Sequence, residues 1–231
     1  MDHNDSPSLP QLRGRRIALT ALTALAVLTA ALLAAAIVPG TLAHRVLTMP
    51  VRGGRHGLFG TVNGIALLTV AALPFAVLAA WVLARRRRSA GTAQPWRMSL
   101  AEVGLVYGTL PTVWLTLLPG SRAGEVSGRV SLVPFQDIHT LLGAGPATAT
   151  FQIGGNLLVL AALGFFAPLR FRALASLPRM LALGAGCSIL IETAQYVLRL
   201  DRVSSVDDVL LNAAGAGLAA LASRRWWAAR R

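Results

Sequence analysis

A chain of 231 residues that is 55% hydrophobic and only 13% charged, with mean hydropathy +0.60, is too apolar for an ordinary soluble domain and takes a bilayer as its natural solvent. The net charge of +13 raises nucleic acid as a partner, but all 22 basic residues are Arg. They stand in short clusters between apolar runs, with no aromatic-interleaved basic stretch, so the charge reads as membrane topology and no nucleic-acid partner is expected.

Residues 1–16 are polar, end in Arg13, Arg15 and Arg16, and precede an apolar run at 17–38, the first expected span. That run exceeds the apolar core of a usual signal peptide, so an uncleaved helix is expected. A loop with Arg45, Arg52, Arg55 and two histidines leads to a second span at 62–84, kinked by Pro74 and stopped by Arg85 to Arg88. The third, at 100–118, ends at Pro119-Gly120. Residues 121–145 are polar and turn-rich around the apolar island Leu132-Val133-Pro134-Phe135 and read as a loop with a re-entrant or interfacial patch. Apolar runs at 147–169, 177–198 and 206–222 give spans four, five and six. The lone cysteine, Cys187, lies in an apolar run and reads as packing. The fold expected is therefore all-α: a polytopic integral-membrane bundle of about six helices, each span needing roughly 20 residues.

Arginine counts test this division without using hydropathy. Alternate connections, beginning with the N-terminal tail, hold 3, 5, 3 and 4 arginines, 15 in all, against 7 on the other side. By the positive-inside rule both termini are expected in the cytoplasm, in a multi-pass inner-membrane protein. The acids divide oppositely. Apart from Asp2, Asp5 and Glu102, each one (Glu125, Asp137, Glu192, Asp201, Asp207, Asp208) falls on the outer side, and topology alone does not require this.

Three late spans carry polar groups below that outer boundary. Glu192 and Gln195 share a face of span five, roughly two turns in, where a carboxyl is costly unless paired, protonated or facing water. Interhelical hydrogen bonding alone would also explain them. Asp208, Asn212 and Gly215 form one stripe of span six, with Gly215 admitting a partner helix close by. Ser205 and Asp208 have the spacing of a capping box, which accounts for an acid at the helix start but not for Asn212. Asn156 in span four needs partners too. A single outward-opening polar cavity would satisfy Asn156, Glu192, Gln195, Asp208 and Asn212 together, with Arg199 and Arg202 as counter-ions and Asp207 as a further candidate.

Four motifs in this order resemble the VanZ-like family of bacterial membrane proteins, named for a glycopeptide-resistance accessory that lowers susceptibility to teicoplanin. They are Ser131-Leu132-Val133-Pro134-Phe135, where the family has Asn-Leu-Ile-Pro-Phe; Gly155-Asn156-Leu157-Leu158 running to Leu163-Gly164-Phe165; Glu192-Thr193-Ala194-Gln195; and Arg202 through Asp207-Asp208-Val209-Leu210-Leu211-Asn212 to Gly215-Ala216. Ala162, Ser131 and Ser205 depart from the family pattern, which has proline, asparagine and often aspartate there. The resemblance implies a four-helix VanZ-like core at 100–222, an N-terminal addition at 1–99 with two spans and a basic linker, and a basic cytoplasmic tail at 223–231.

The function expected is a VanZ-like membrane protein whose outward polar site (Asn156, Glu192, Gln195, Arg202, Asp207, Asp208 and Asn212) binds an amphiphilic envelope ligand, lipid-linked or lipopeptide, and contributes to glycopeptide resistance. A membrane-embedded enzyme using paired carboxylates on a lipid-linked substrate is the alternative, and an ion-coupled transporter a third. No histidine joins the core cluster, no metal-ligand spacing is present and the chain has no lysine, so no catalytic residue, metal or cofactor is assigned.

Overall fold

A computed structural model describes residues 54–228; the expected first span at 17–38 lies outside the described residues. The described residues divide into two units, 54–78 and 79–228. In the first, helix α1 (Gly54–Phe59) is followed by the start of α2 (Val62–Ser89). Thr61 caps α2: its hydroxyl accepts from the Gly64 N–H at 3.0 Å and donates to the Gly57 carbonyl at 2.6 Å. Helix α2 runs through Pro74 without a break in its assignment.

The second unit takes in the end of α2, then α3 (Pro95–Thr116), β1 (Arg129–Ser131), α4 (Gln136–Gly143), α5 (Pro146–Val159), α6 (Ala161–Arg170), a 3-10 turn (Arg172–Leu174), α7 (Leu177–Val197), β2 (Val203–Ser205), α8 (Val206–Ala222) and α9 (Arg224–Ala228). Helix α8 packs against α5, α6 and α7. Small residues make this packing close. A Cβ added at Gly215 would stand 2.0 Å from the Leu157 carbonyl oxygen, and one at Gly164 would stand 2.1 Å from that of Ala216. Ala216, Ala220 and Met180 are fully buried behind these contacts, while Leu110, Leu158, Leu190 and Leu218 point outward, as helices solvated by lipid require.

Three helical stretches, Val62–Ser89, Pro146–Arg170 and Leu177–Val197, are long and apolar enough to cross a membrane. The chain is mostly helical and is a membrane protein, but it departs from the sequence expectation in three places. First, the expected fourth span is two helices that meet at Leu160, where the backbone leaves the helical region (φ −109°, ψ 13°). The Thr112 hydroxyl donates to the Val159 carbonyl at 2.8 Å, so the break has a polar partner on α3. Second, the fold is not purely helical: β1 and β2 pair in parallel, with Arg129 opposite Val203 and Ser131 opposite Ser205. Third, the loop expected at 121–145 contains the two-turn helix α4.

Contacts separate the two ends of the helices. At one end, Glu102 accepts a hydrogen bond from Arg87 and pairs with Arg170 at 3.5 Å, while Trp227 packs against Ala101, Leu169 and Ala175. At the other, Gln195 reaches Thr116, the Gly120 N–H donates to Leu200 at 2.8 Å, and the two strands pair.

Candidate functional site

The site is built around the start of α8. Ser205 is its N-cap residue, extended in backbone, and its hydroxyl accepts from the Asp207 N–H at 3.1 Å. In a capping box, the side chain three residues on would bind the N–H of Ser205 in return. Here Glu192 of α7 takes that place, its Oε2 accepting from Ser205 N at 3.2 Å. The Ser204 hydroxyl adds a bond to the Glu192 carbonyl at 2.9 Å. Asp208, free of the cap, accepts instead from the side-chain amide of Asn156 on α5. Two carboxylates and an amide from three helices thus meet where β2 passes into α8.

Asp207 points elsewhere. Only 1% exposed, it accepts from the backbone N–H of Phe135 at 2.5 Å through Oδ1, and from those of Asp137 at 2.9 Å and Ile138 at 3.1 Å through Oδ2. These are the N-terminal donors of α4, whose own N-cap, Phe135, has no side-chain oxygen and sits at φ 65°. An acid on α8 therefore caps a helix some 70 residues earlier in the chain. The Ser205 hydroxyl donates to the Asp137 carboxylate alongside it. Together these bonds hold the apolar island to the end of α8, with Leu132, Val133 and Phe135 still exposed.

The structure brings four of the seven expected site residues together: Asn156, Glu192, Asp208 and, within electrostatic reach of both carboxylates, Arg202. Arg202 is exposed, with Nη2 3.4 Å from the Leu118 carbonyl. The other three have separate partners. Gln195 donates to the Thr116 carbonyl at 2.8 Å, Asn212 donates to the Ser188 hydroxyl at 2.8 Å, and Asp207 caps α4. Each of the seven therefore has a direct partner in the fold, so no shared cavity is needed to satisfy them. Of the seven, Asn212 keeps a buried Oδ1 with no hydrogen-bond partner among the described residues. Asp137, Ser204 and the second bond of Ser205 join the site without a role expected from the sequence. Their signal was positional, since Asp137 follows the Leu-Val-Pro-Phe island and the two serines precede the paired aspartates.

Outside the cluster, Asp201 accepts from the Arg122 N–H at 3.2 Å and faces the guanidinium groups of Arg122 and Arg129 at 3.7 and 3.8 Å. This ties the loop after α3 to the turn after α7. Chemically, the cluster offers carboxylate acceptors beside an exposed guanidinium, a set suited to hydroxyl, amine and amide groups on a polar head. No group of three or more metal-ligating side chains converges among the described residues.

No curated protein and no solved structure matches the chain. A model of the VanZ/LLP1 family does, over residues 103–227, which takes in most of α3, every element from β1 to α8 and all seven expected site residues. With more than half of the sequence inside that match, the chain belongs to the VanZ/LLP1 family.

Proposed function

We propose that this is a six-span inner-membrane protein with both termini in the cytoplasm, and that the cluster of Asn156, Glu192, Asp208 and Arg202 binds the polar head of an amphiphilic envelope ligand from the outer side. Residues 100–222 act as the working core, residues 1–99 are an addition, and residues 223–231 are a cytoplasmic tail. Family membership links the chain to glycopeptide resistance, and the proposed consequence of binding is lowered susceptibility to a lipid-bearing glycopeptide of the teicoplanin type.

One observation carries the reading: Glu192 and Asp208, carboxylates on separate helices, lie together at the end of the bundle with an exposed arginine beside them. Interhelical adhesion would be served by amides alone, as Gln195 and Asn212 demonstrate. Two acids and a guanidinium at one membrane boundary provide charge recognition as well. The separation of the helix ends supports the orientation, because Arg87 and Arg170 meet at Glu102, while Glu192 lies near the C-terminal end of α7 and Asp208 in the first turn of α8.

The test is drug susceptibility of cells carrying an empty vector, the wild-type chain, or Glu192→Gln expressed at equal level. The reading requires that the wild type raise the teicoplanin concentration needed for inhibition and that the variant lose most of that gain. Equal values for all three would remove the resistance assignment.

A further inference from the structure

Beside the cluster the fold leaves an apolar surface uncovered. Leu132 is 77% exposed and Phe135 66%, in a stretch, 130–136, without a charged residue, and Leu142 follows on α4 at 62%. We propose that this island and the outer flank of α4 lie in the membrane interface, covered by bilayer lipid at the end of the bundle that holds the cluster.

Helix α4 is turned inside out for a helix in water. Its acid, Asp137, accepts from the Ser205 hydroxyl, and the N–H groups of Asp137 and Ile138 donate to Asp207, so its polar ties run inward to β2 and α8. Phe135 at the N-cap and Leu142 stand seven positions apart on one flank, with His139 between them, and all three are exposed. Gln136 and Thr140, four apart, form the neighbouring flank and are exposed too. An apolar flank beside a polar one, neither covered by protein, is the pattern of a helix lying in the plane of the interface. In water, Leu132, Val133 and Phe135 would gain by turning inward. Instead Phe135 is held out on a left-handed backbone, φ 65°, with its N–H fixed by Asp207.

Continuity with a lipid-facing helix identifies what covers the patch. Helix α4 packs against α5, which belongs to the 25-residue stretch Pro146–Arg170, long and apolar enough to cross a membrane. Phe151, 83% exposed, and Leu158 lie two turns apart on one face of α5, and a Cβ added at Gly154 or Gly155 between them would meet nothing within 4 Å. Open space also adjoins Gly143 and Gly145, at the connection from α4 to α5. The solvent that meets Phe151 and Leu158 therefore continues to Leu142 and Phe135, and for an apolar spanning helix that solvent is lipid. Arg129 and Tyr196 are exposed at this same end, with the Tyr196 ring against Gly128, and such long basic and amphipathic side chains mark headgroup depth.

Spin labelling of the full chain tests the proposal. In a Cys187→Ser background, single labels are attached to Leu132→Cys and Leu142→Cys in the patch, to Leu158→Cys on α5 as the lipid reference, and to Ser127→Cys before β1 as the water reference. All four positions are exposed, and melting curves verify that each labelled protein is folded. In vesicles of phosphatidylcholine and phosphatidylglycerol, the accessibility of each nitroxide to oxygen, which concentrates in hydrocarbon, is compared with its accessibility to a water-soluble nickel chelate. The oxygen-to-nickel ratio at residues 132 and 142 is expected to exceed that at 127 by at least about threefold and to approach that at 158. A ratio equal to the water reference at either position would place the patch in water and overturn the proposal. Exclusion of both reagents would mean cover by protein, either a second copy or residues outside 54–228, and would overturn it as well.

Discussion

Oε2 of Glu192 accepts the backbone N–H of Ser205 at 3.2 Å, so a side chain of α7 completes the N-terminal cap of α8. This single bond joins the two helices at the point where the charged cluster is assembled, and it gives Glu192 a structural duty separable from recognition.

Glu192→Ala leaves the Ser205 N–H buried without an acceptor and is expected to cost about 1–3 kcal/mol of stability, whereas Glu192→Gln keeps an acceptor oxygen and costs less than about 1 kcal/mol. Thermal unfolding in a fixed detergent distinguishes the two. Equal melting temperatures for Glu192→Ala and the wild type would mean that the cap is not made.

Asp207→Ala removes the acceptor of three partly buried N–H groups at once and is expected to lose about 2–3 kcal/mol. Because those donors belong to Phe135, Asp137 and Ile138, the effect is local first. Hydrogen exchange should accelerate across residues 132–143 before the rest of α8 responds. Unchanged exchange in that segment would remove the cross-chain cap.

At Gly215 an added methyl would overlap the Leu157 carbonyl, while at Gly154 it would meet nothing within 4 Å. Gly215→Ala is therefore expected to destabilise by about 1–3 kcal/mol through helix separation. Gly154→Ala should be neutral or gain up to about 1 kcal/mol from helix propensity. Melting temperatures that move in the opposite order would contradict the packing described for α8 on α5.

These sites also mark where the sequence was legible. The bounds of the apolar runs at 177–198 and 206–222 agree with those of α7 (Leu177–Val197) and α8 (Val206–Ala222) because polar or turn residues flank them on both sides. The close approach at Gly215 followed from its place on a polar stripe. The break at Leu160 did not show, since it lies inside an unbroken apolar run and depends on Thr112, 47 residues away, for a partner. Nor did the pairing of β1 with β2, which joins two three-residue segments across more than 70 positions. Asp207 was misplaced for the same reason: local spacing fits a cap for its own helix, and only the tertiary fold turns its carboxylate toward α4. Asn156 and Asp208 were expected at similar depth, yet their direct bond is a property of the packed helices.

The proposed orientation predicts the sidedness of two connections. In a Cys187→Ser background, Ser121→Cys should react with a membrane-impermeant maleimide in intact cells, and Ala90→Cys should react only after the membrane is opened. Labelling of both from one side, or in the reverse order, would contradict the span count or the orientation.

Binding by the purified protein tests the recognition role of the cluster most directly. A fluorescent teicoplanin-type lipoglycopeptide is titrated into wild type and into the Glu192→Gln, Asp208→Asn double variant, both first shown to be folded by their melting curves. The account predicts saturable binding to the wild type that weakens at least about tenfold in the variant, as expected when charge-assisted hydrogen bonds are lost. Equal affinity for the two proteins, or binding to neither, would contradict it.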